Sequence, residues 1–138
     1  MNKTLNEISK EVYEANKLKG FDAKECNTGQ TLMLIVSELS EALEADRKGR
    51  RVDINATKNL TNGYTISGNL SVYIKQGKTE KFIELFKEKV KDTFEDEIAD
   101  ALIRLFDLVG ALEINIDRHI ELKRQFNATR EYKHGKKY

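Results

Sequence analysis

No proline occurs anywhere in the 138 residues, so the chain lacks the one residue that removes a backbone donor and breaks a helix from within. Helices can run long, and their ends must be set by glycine and by capping side chains. The apolar pattern uses that freedom. Leu5, Ile8, Val12, Ala15 and Leu18 recur every three or four residues and predict a helix over about 4–19, stopped by Gly20. A second helix is expected from Thr28 to Lys48-Gly49, with Leu32, Ile35, Val36, Leu39, Ala42 and Leu43 on its apolar stripe. Phe82, Leu85, Phe86 and Val90 mark a shorter one. Asp92 or Thr93, followed three residues on by Glu95 or Asp96, resembles a capping box that opens a helix carrying Ile98, Ala101, Leu102, Leu105, Leu108, Val109 and Leu112. A last helix is expected over about 116–128, leading into a basic tail.

The stretch from Val52 to Ile74 has a different texture. Val52, Ile54 and Ala56 alternate with polar residues, as do Tyr64, Ile66, Leu70, Val72 and Ile74, around Asn62-Gly63. This predicts a β-hairpin, or an irregular loop, inserted at about 51–77 into an otherwise all-α helical bundle. No internal repeat, linker or low-complexity tract interrupts the chain, and its length suits a single domain over 1–138.

Composition narrows the partners. With 24 Lys and Arg against 23 Asp and Glu, the net charge of +1 is not the footprint of a nucleic-acid binder. Hydrophobic residues make up 39% and charged residues 34%, which leaves room for helices that complete their core in a partner subunit. No apolar run approaches the roughly 20 residues needed to span a bilayer. The opening MNKTLNEISKEVYEANK is amphipathic and acidic, unlike a secretory signal, and the lone Cys26 forms no internal disulfide. The expectation is a cytoplasmic protein with no nucleic-acid or membrane partner.

Chemistry concentrates in two carboxylate pairs. SELSEAL places Glu38 and Glu41 three residues apart, and EDEIADAL does the same with Glu97 and Asp100. At ~100° per residue each pair shares a helical face, and relative to Leu39 and Ile98 the two pairs occupy matching positions. If the two helices pack side by side, four carboxylates converge, and a hard divalent cation relieves their repulsion. Oxygen donors suit magnesium, or manganese, better than zinc. The bland alternative is that these are solvated charges on exposed helix faces.

The same residues carry a resemblance. ExxE at Glu38 and Glu41 followed by ExxD at Glu97 and Asp100, within LMLIVSELSEALEADRKG and EDEIADALIRLFDLVGALEI, resembles the metal signature of MazG-like all-α nucleoside triphosphate pyrophosphohydrolases. The ending ELKRQFNATREYKHGKKY is similar to that group's basic tail, with Lys123, Asn127, Arg130, His134, Gly135 and Lys136 at matching places. The likeness covers residues 27–49 and 92–138, and Arg50 to Ile74 departs from it. It implies a helical bundle of the all-α NTP pyrophosphatase type, Glu38, Glu41, Glu97 and Asp100 as magnesium ligands, and Lys123, Asn127 and Arg130 as nucleotide contacts. It also implies a homodimer or homotetramer.

The reaction so implied is hydrolysis of an NTP or dNTP between the α and β phosphates, to a monophosphate and pyrophosphate, as nucleotide-pool housecleaning. Glu38 and Glu41 are the candidate catalytic carboxylates, with Glu41 a candidate base. Arg104, four residues after Asp100, is a candidate phosphate contact or else a structural ion pair with Asp100 or Asp107. Two alternatives stay open: a nucleotide-sensing or helical interaction module that does not turn over, and a related dUTP or phosphoribosyl-ATP pyrophosphohydrolase.

Overall fold

The computed structural model describes residues 3–52 and 66–131. Among these the fold is all-α, in six helices: α1 Leu5–Leu18, α2 Thr28–Arg47, α3 Ile66–Lys75, α4 Thr79–Lys89, α5 Phe94–Ala111 and α6 Ile116–Ala128. The chain divides into two compact units, residues 34–102 and residues 1–33 with 103–138.

Helix ends are built as a proline-free chain requires. Thr4 caps α1 through a reciprocal box, its hydroxyl accepting from the Glu7 N–H at 3.2 Å while the Glu7 carboxylate accepts from the Thr4 N–H at 2.7 Å. Beyond α2, Gly49 turns to φ +65°, its N–H donates to the Asp46 carbonyl at 2.9 Å, and the Arg50 N–H donates to the Ala45 carbonyl at 2.9 Å. This paired closure needs a left-handed residue, which glycine supplies without a Cβ clash. Before α5 the Thr93 Oγ1 accepts from the Asp96 N–H, and the Asp96 carboxylate accepts from the Asp92 N–H at 3.0 Å, so the expected capping box is closed one residue early, the Thr93 N–H donating to the Val90 carbonyl instead.

In the unit formed by residues 1–33 and 103–138, the starts of α1 and α6 cap each other. The Asp117 carboxylate accepts from the N–H groups of Leu5 and Asn6, at 3.2 and 2.9 Å, and the Asn6 side-chain oxygen accepts from the Ile116 N–H at 2.8 Å. These bonds satisfy donors that the first helical turn leaves without partners. Further along, Gly110 of α5 lies directly against α1: a Cβ there would fall on the Ser9 carbonyl and 2.8 Å from Tyr13 Cβ. Ser9 is buried, and its hydroxyl is satisfied by the Leu5 carbonyl at 2.8 Å.

In residues 34–102, α3 packs against α4, where Phe82 and Phe86 meet with ring centroids 5.8 Å apart. The expected second strand is overturned here. Residues 66–75 are helix α3, with Leu70 buried, Tyr73 half-buried, and Val72 and Ile74 exposed. A strand would have put Leu70, Val72 and Ile74 on one face. The run also satisfies a helical period through Leu70 and Tyr73, and packing on α4 favours that reading. The first strand and its turn, at 53–65, lie outside the described residues.

The apolar stripe of α2 also differs from expectation. Its buried positions are Thr31, Glu38, Ala42 and Ala45, of which only Ala42 was on the expected stripe, whereas Leu39 and Leu43 are 48% and 50% exposed. On α5, Glu97 and Ala101 are buried while Leu102 is exposed. Next to the carboxylates the buried residues of these two helices are alanines, while Leu39, Leu43 and Leu102 are exposed.

Candidate metal centre

Glu38 and Glu41 lie on α2 and Glu97 on α5, all within residues 34–102, and one carboxylate oxygen from each comes within 4.8 Å of the others. Local sequence explains how. Glu38, Ala42 and Ala45 recur at four and three residues along the inward face of α2, and Glu97 and Ala101 at four along α5. Glu38 and Glu97 stand one turn before Ala42 and Ala101 on these faces, and their carboxylates meet.

Glu38 and Glu97 are only 8% and 6% exposed, while Glu41 opens to solvent and accepts a long hydrogen bond from the Ser37 hydroxyl at 3.5 Å. Two buried acids and a third beside them is a costly arrangement. Burial pushes the Glu97 carboxyl above its ordinary range, and the charges of Glu41, Asp96, Glu38 and Asp100 push it further the same way. The donor set is all oxygen and all anionic, which fits a hard cation such as magnesium or manganese and offers no soft ligand.

Of the four expected ligands, the structure brings three together. Asp100 is exposed and stands outside the group of three, close enough for its charge to act on Glu97. Arg104 is half-buried on α5, and its charge favours ionisation of Asp107 one turn on. Asp107 is itself held above the usual carboxylate range by burial, against a hydrogen bond from Asn16.

The basic residues expected near a nucleotide sit on and just beyond α6, with Asn127 exposed among them. The Lys123 ammonium and the Arg130 guanidinium both lie over the Phe126 ring, 5.1 and 5.8 Å from its centroid, and Phe126 is 56% exposed. Phe126 was not singled out from sequence, although its spacing of three and four residues from the two cations is the signal that finds it. His134, Gly135 and Lys136 lie outside the described residues. Arg51 was also missed: its partners come from two helices distant in sequence. A surface groove in the other unit is lined by Asn6, Ser9, Lys10, Tyr13, Val109 and Glu113, and none of the expected site residues belongs to it.

No described helix is long and apolar enough to cross a membrane. No protein-family model matches this chain, and no curated protein or solved structure matches it either.

Proposed function

We propose that this chain is a magnesium-dependent, MazG-like hydrolase that cleaves a nucleoside triphosphate between its α and β phosphates, releasing a monophosphate and pyrophosphate, as a cytoplasmic guardian of the nucleotide pool. The observation that carries the reading is the meeting of Glu38, Glu41 and Glu97 within 4.8 Å, two of them buried, with an acidic neighbourhood that raises the Glu97 carboxyl. Such a cluster is relieved by a dication, and magnesium commonly bridges protein carboxylates to phosphate oxygens.

In this reading Glu38 and Glu97 hold the cation from α2 and α5, Asp100 adds negative charge beside them, and Glu41 is the carboxylate with solvent access. When bound, the metal would draw phosphate oxygens into the site and make water a better nucleophile. Glu41 then takes a proton from the attacking water as its oxygen bonds to the α phosphorus, and the bond from that phosphorus to the bridging oxygen breaks, with pyrophosphate leaving. Arg104, Lys123, Asn127 and Arg130 are assigned to the phosphates and nucleotide on the strength of the sequence resemblance.

The same reading includes a homodimer or homotetramer. Leu32, Val36, Leu39 and Leu43 are exposed on α2 at spacings of four, three and four residues, and Leu102, Ile103 and Leu105 are exposed on α5. Alternating three and four is the spacing of a coiled-coil seam, and seams of this kind are covered by other helices.

The test is to incubate the pure protein with each common NTP and dNTP, with and without magnesium, and identify the products. Monophosphate and pyrophosphate that vanish in folded Glu38→Gln and Glu97→Gln proteins support the reading. Diphosphate and orthophosphate would contradict the bond assigned, and thermal stabilisation by magnesium and nucleotide without turnover would favour a sensor.

A further inference from the structure

A single side chain ties the end of one carboxylate-bearing helix to the start of the other. Arg51 lies just beyond α2, and its guanidinium donates to Asp46 in the last turn of α2 at 2.6 Å. The same group reaches Glu95 in the first turn of α5 at 3.4 Å and lies over the Phe94 ring, 3.8 Å from its centroid. The flanking backbone joins in: the Phe94 N–H donates to the Arg50 carbonyl at 2.9 Å, and the Val52 N–H donates to the Glu95 carboxylate at 3.0 Å. Residues 50–52 thus form a strap across the start of α5.

The strap stands next to the carboxylate cluster in sequence on both sides. Asp46 follows Glu41 by five residues, and Glu95 precedes Glu97 by two. We propose that Arg51 is a positioning residue for the metal centre, holding Glu38 and Glu41 of α2 at the separation from Glu97 of α5 that a divalent cation requires. This rests on the metal reading above and deepens it.

Three like charges within 4.8 Å push their helices apart, so whatever fixes the spacing between α2 and α5 must resist that push. Inward-facing alanines offer little interlocking of side chains to do so. An exposed ion pair alone contributes little, but a planar guanidinium that forks between two carboxylates while stacked on an aromatic ring fixes direction as well as distance. Cation sites tolerate displacements of only about 0.5 Å before affinity falls. Loosening the strap is therefore read first in metal affinity.

The probe is Mn2+, whose free ion gives an electron paramagnetic resonance signal, titrated into the full-length wild type and into Arg51→Ala, Arg51→Lys and Lys24→Ala proteins. Lys24 carries a comparably exposed ion pair, to Glu113 at 2.9 Å, and is the matched control. Arg51→Ala is expected to weaken Mn2+ binding about tenfold, the scale seen when a partner outside the ligand shell is removed. Arg51→Lys should recover only part of that, because an ammonium keeps the charge but not the stacked fork, and it carries the test if Arg51→Ala fails to fold. Lys24→Ala should bind as wild type does. Wild-type Mn2+ affinity in both Arg51 variants, whatever happens to their melting temperature, overturns the proposal, as does equal weakening by Lys24→Ala. Absence of Mn2+ binding to the wild type would remove the metal reading and this inference together, whereas Mn2+ binding without pyrophosphate release would remove only the hydrolase reading.

Discussion

Two carboxylates in this molecule, Asp22 and Glu97, are placed in opposite surroundings. Asp22 accepts from the Tyr13 hydroxyl at 2.8 Å and the Lys24 N–H at 3.0 Å and pairs with Lys17 at 2.8 Å, and these partners, Lys17 first, hold its carboxyl down to about 2. Glu97 has burial and four neighbouring acids instead, and its carboxyl is pushed up. Asp22 draws positive charge and donors from its own neighbours, whereas the acidic neighbours of Glu97 work against its ionisation. In the proposed reading the strained carboxylate belongs to the site and the satisfied one to the architecture.

The largest expected effect breaks that contrast at the acidic end. Glu97→Gln and Glu38→Gln should lower pyrophosphate release at least about 100-fold, comparable to the loss of one electrostatic group in an active site. Magnesium should no longer raise the melting temperature. Without metal, Glu97→Gln should be more stable than the wild type, by roughly 0.5–2 kcal/mol, because a repelled buried carboxylate has become a neutral amide. Chemical denaturation with and without magnesium checks both parts. A Glu97→Gln protein that is less stable than wild type without metal would mean that Glu97 is already satisfied, as Asp22 is.

Next in size is the outward face of the same helix. Leu39→Glu or Leu43→Glu should leave the helix content unchanged but convert an assembled species to monomer in sedimentation velocity, since each places a charge on an exposed seam. A wild type that sediments as a monomer at micromolar concentration would remove the self-association proposal.

This face also shows where sequence reading reached its limit. The glutamates of ExxE and ExxD were legible because helical spacing alone puts each pair on one face, and three of the four do meet. The helical period likewise located α1, α2, α4, α5 and α6. Which stripe of α2 turns inward was not legible, since hydropathy favours Leu39 and Leu43 over a face made of Glu38, Ala42 and Ala45. Glu38 on that face meets Glu97 of another helix, a juxtaposition that hydropathy along α2 does not register. Leu70, Val72 and Ile74 misled for a related reason: a short run satisfies both a period of two and a period of 3.6, and only packing against α4 decides. Arg51 left no local signal because its partners, Asp46 and Glu95, are 49 residues apart in sequence and become neighbours only after folding.

The pH dependence of stability sharpens the contrast with opposite signs. In the folded, metal-free protein the Glu97 carboxyl lies above its ordinary 4.5, so between that value and its native one the folded state binds more protons than the unfolded state. Stability is then greatest below 4.5 for this group and is lost as pH rises through the native value. Denaturation midpoints measured without magnesium should show that decline in the wild type and a flatter profile in Glu97→Gln. Saturating magnesium should flatten the wild type as well, because it favours the ionised form.

Asp22 gives the smallest expected effect, with the reverse slope. Its folded value of about 2 lies below the ordinary 3.8, so its contribution is full above 3.8 and is lost as pH falls from there towards 2. Its partners are largely solvent-exposed, with Lys17 56% open, so salt screening keeps the contribution small at moderate ionic strength. Asp22→Asn preserves the shape of the side chain and its bond from Tyr13 while removing the charge that Lys17 pairs with. The variant should therefore lose stability relative to wild type above 3.8, by an amount that shrinks as salt is added, and approach it as pH falls to about 2. A difference that persists unchanged at pH 2 or in high salt would assign the role of Asp22 to hydrogen-bond geometry rather than to charge, and the electrostatic contrast with Glu97 would have to be abandoned.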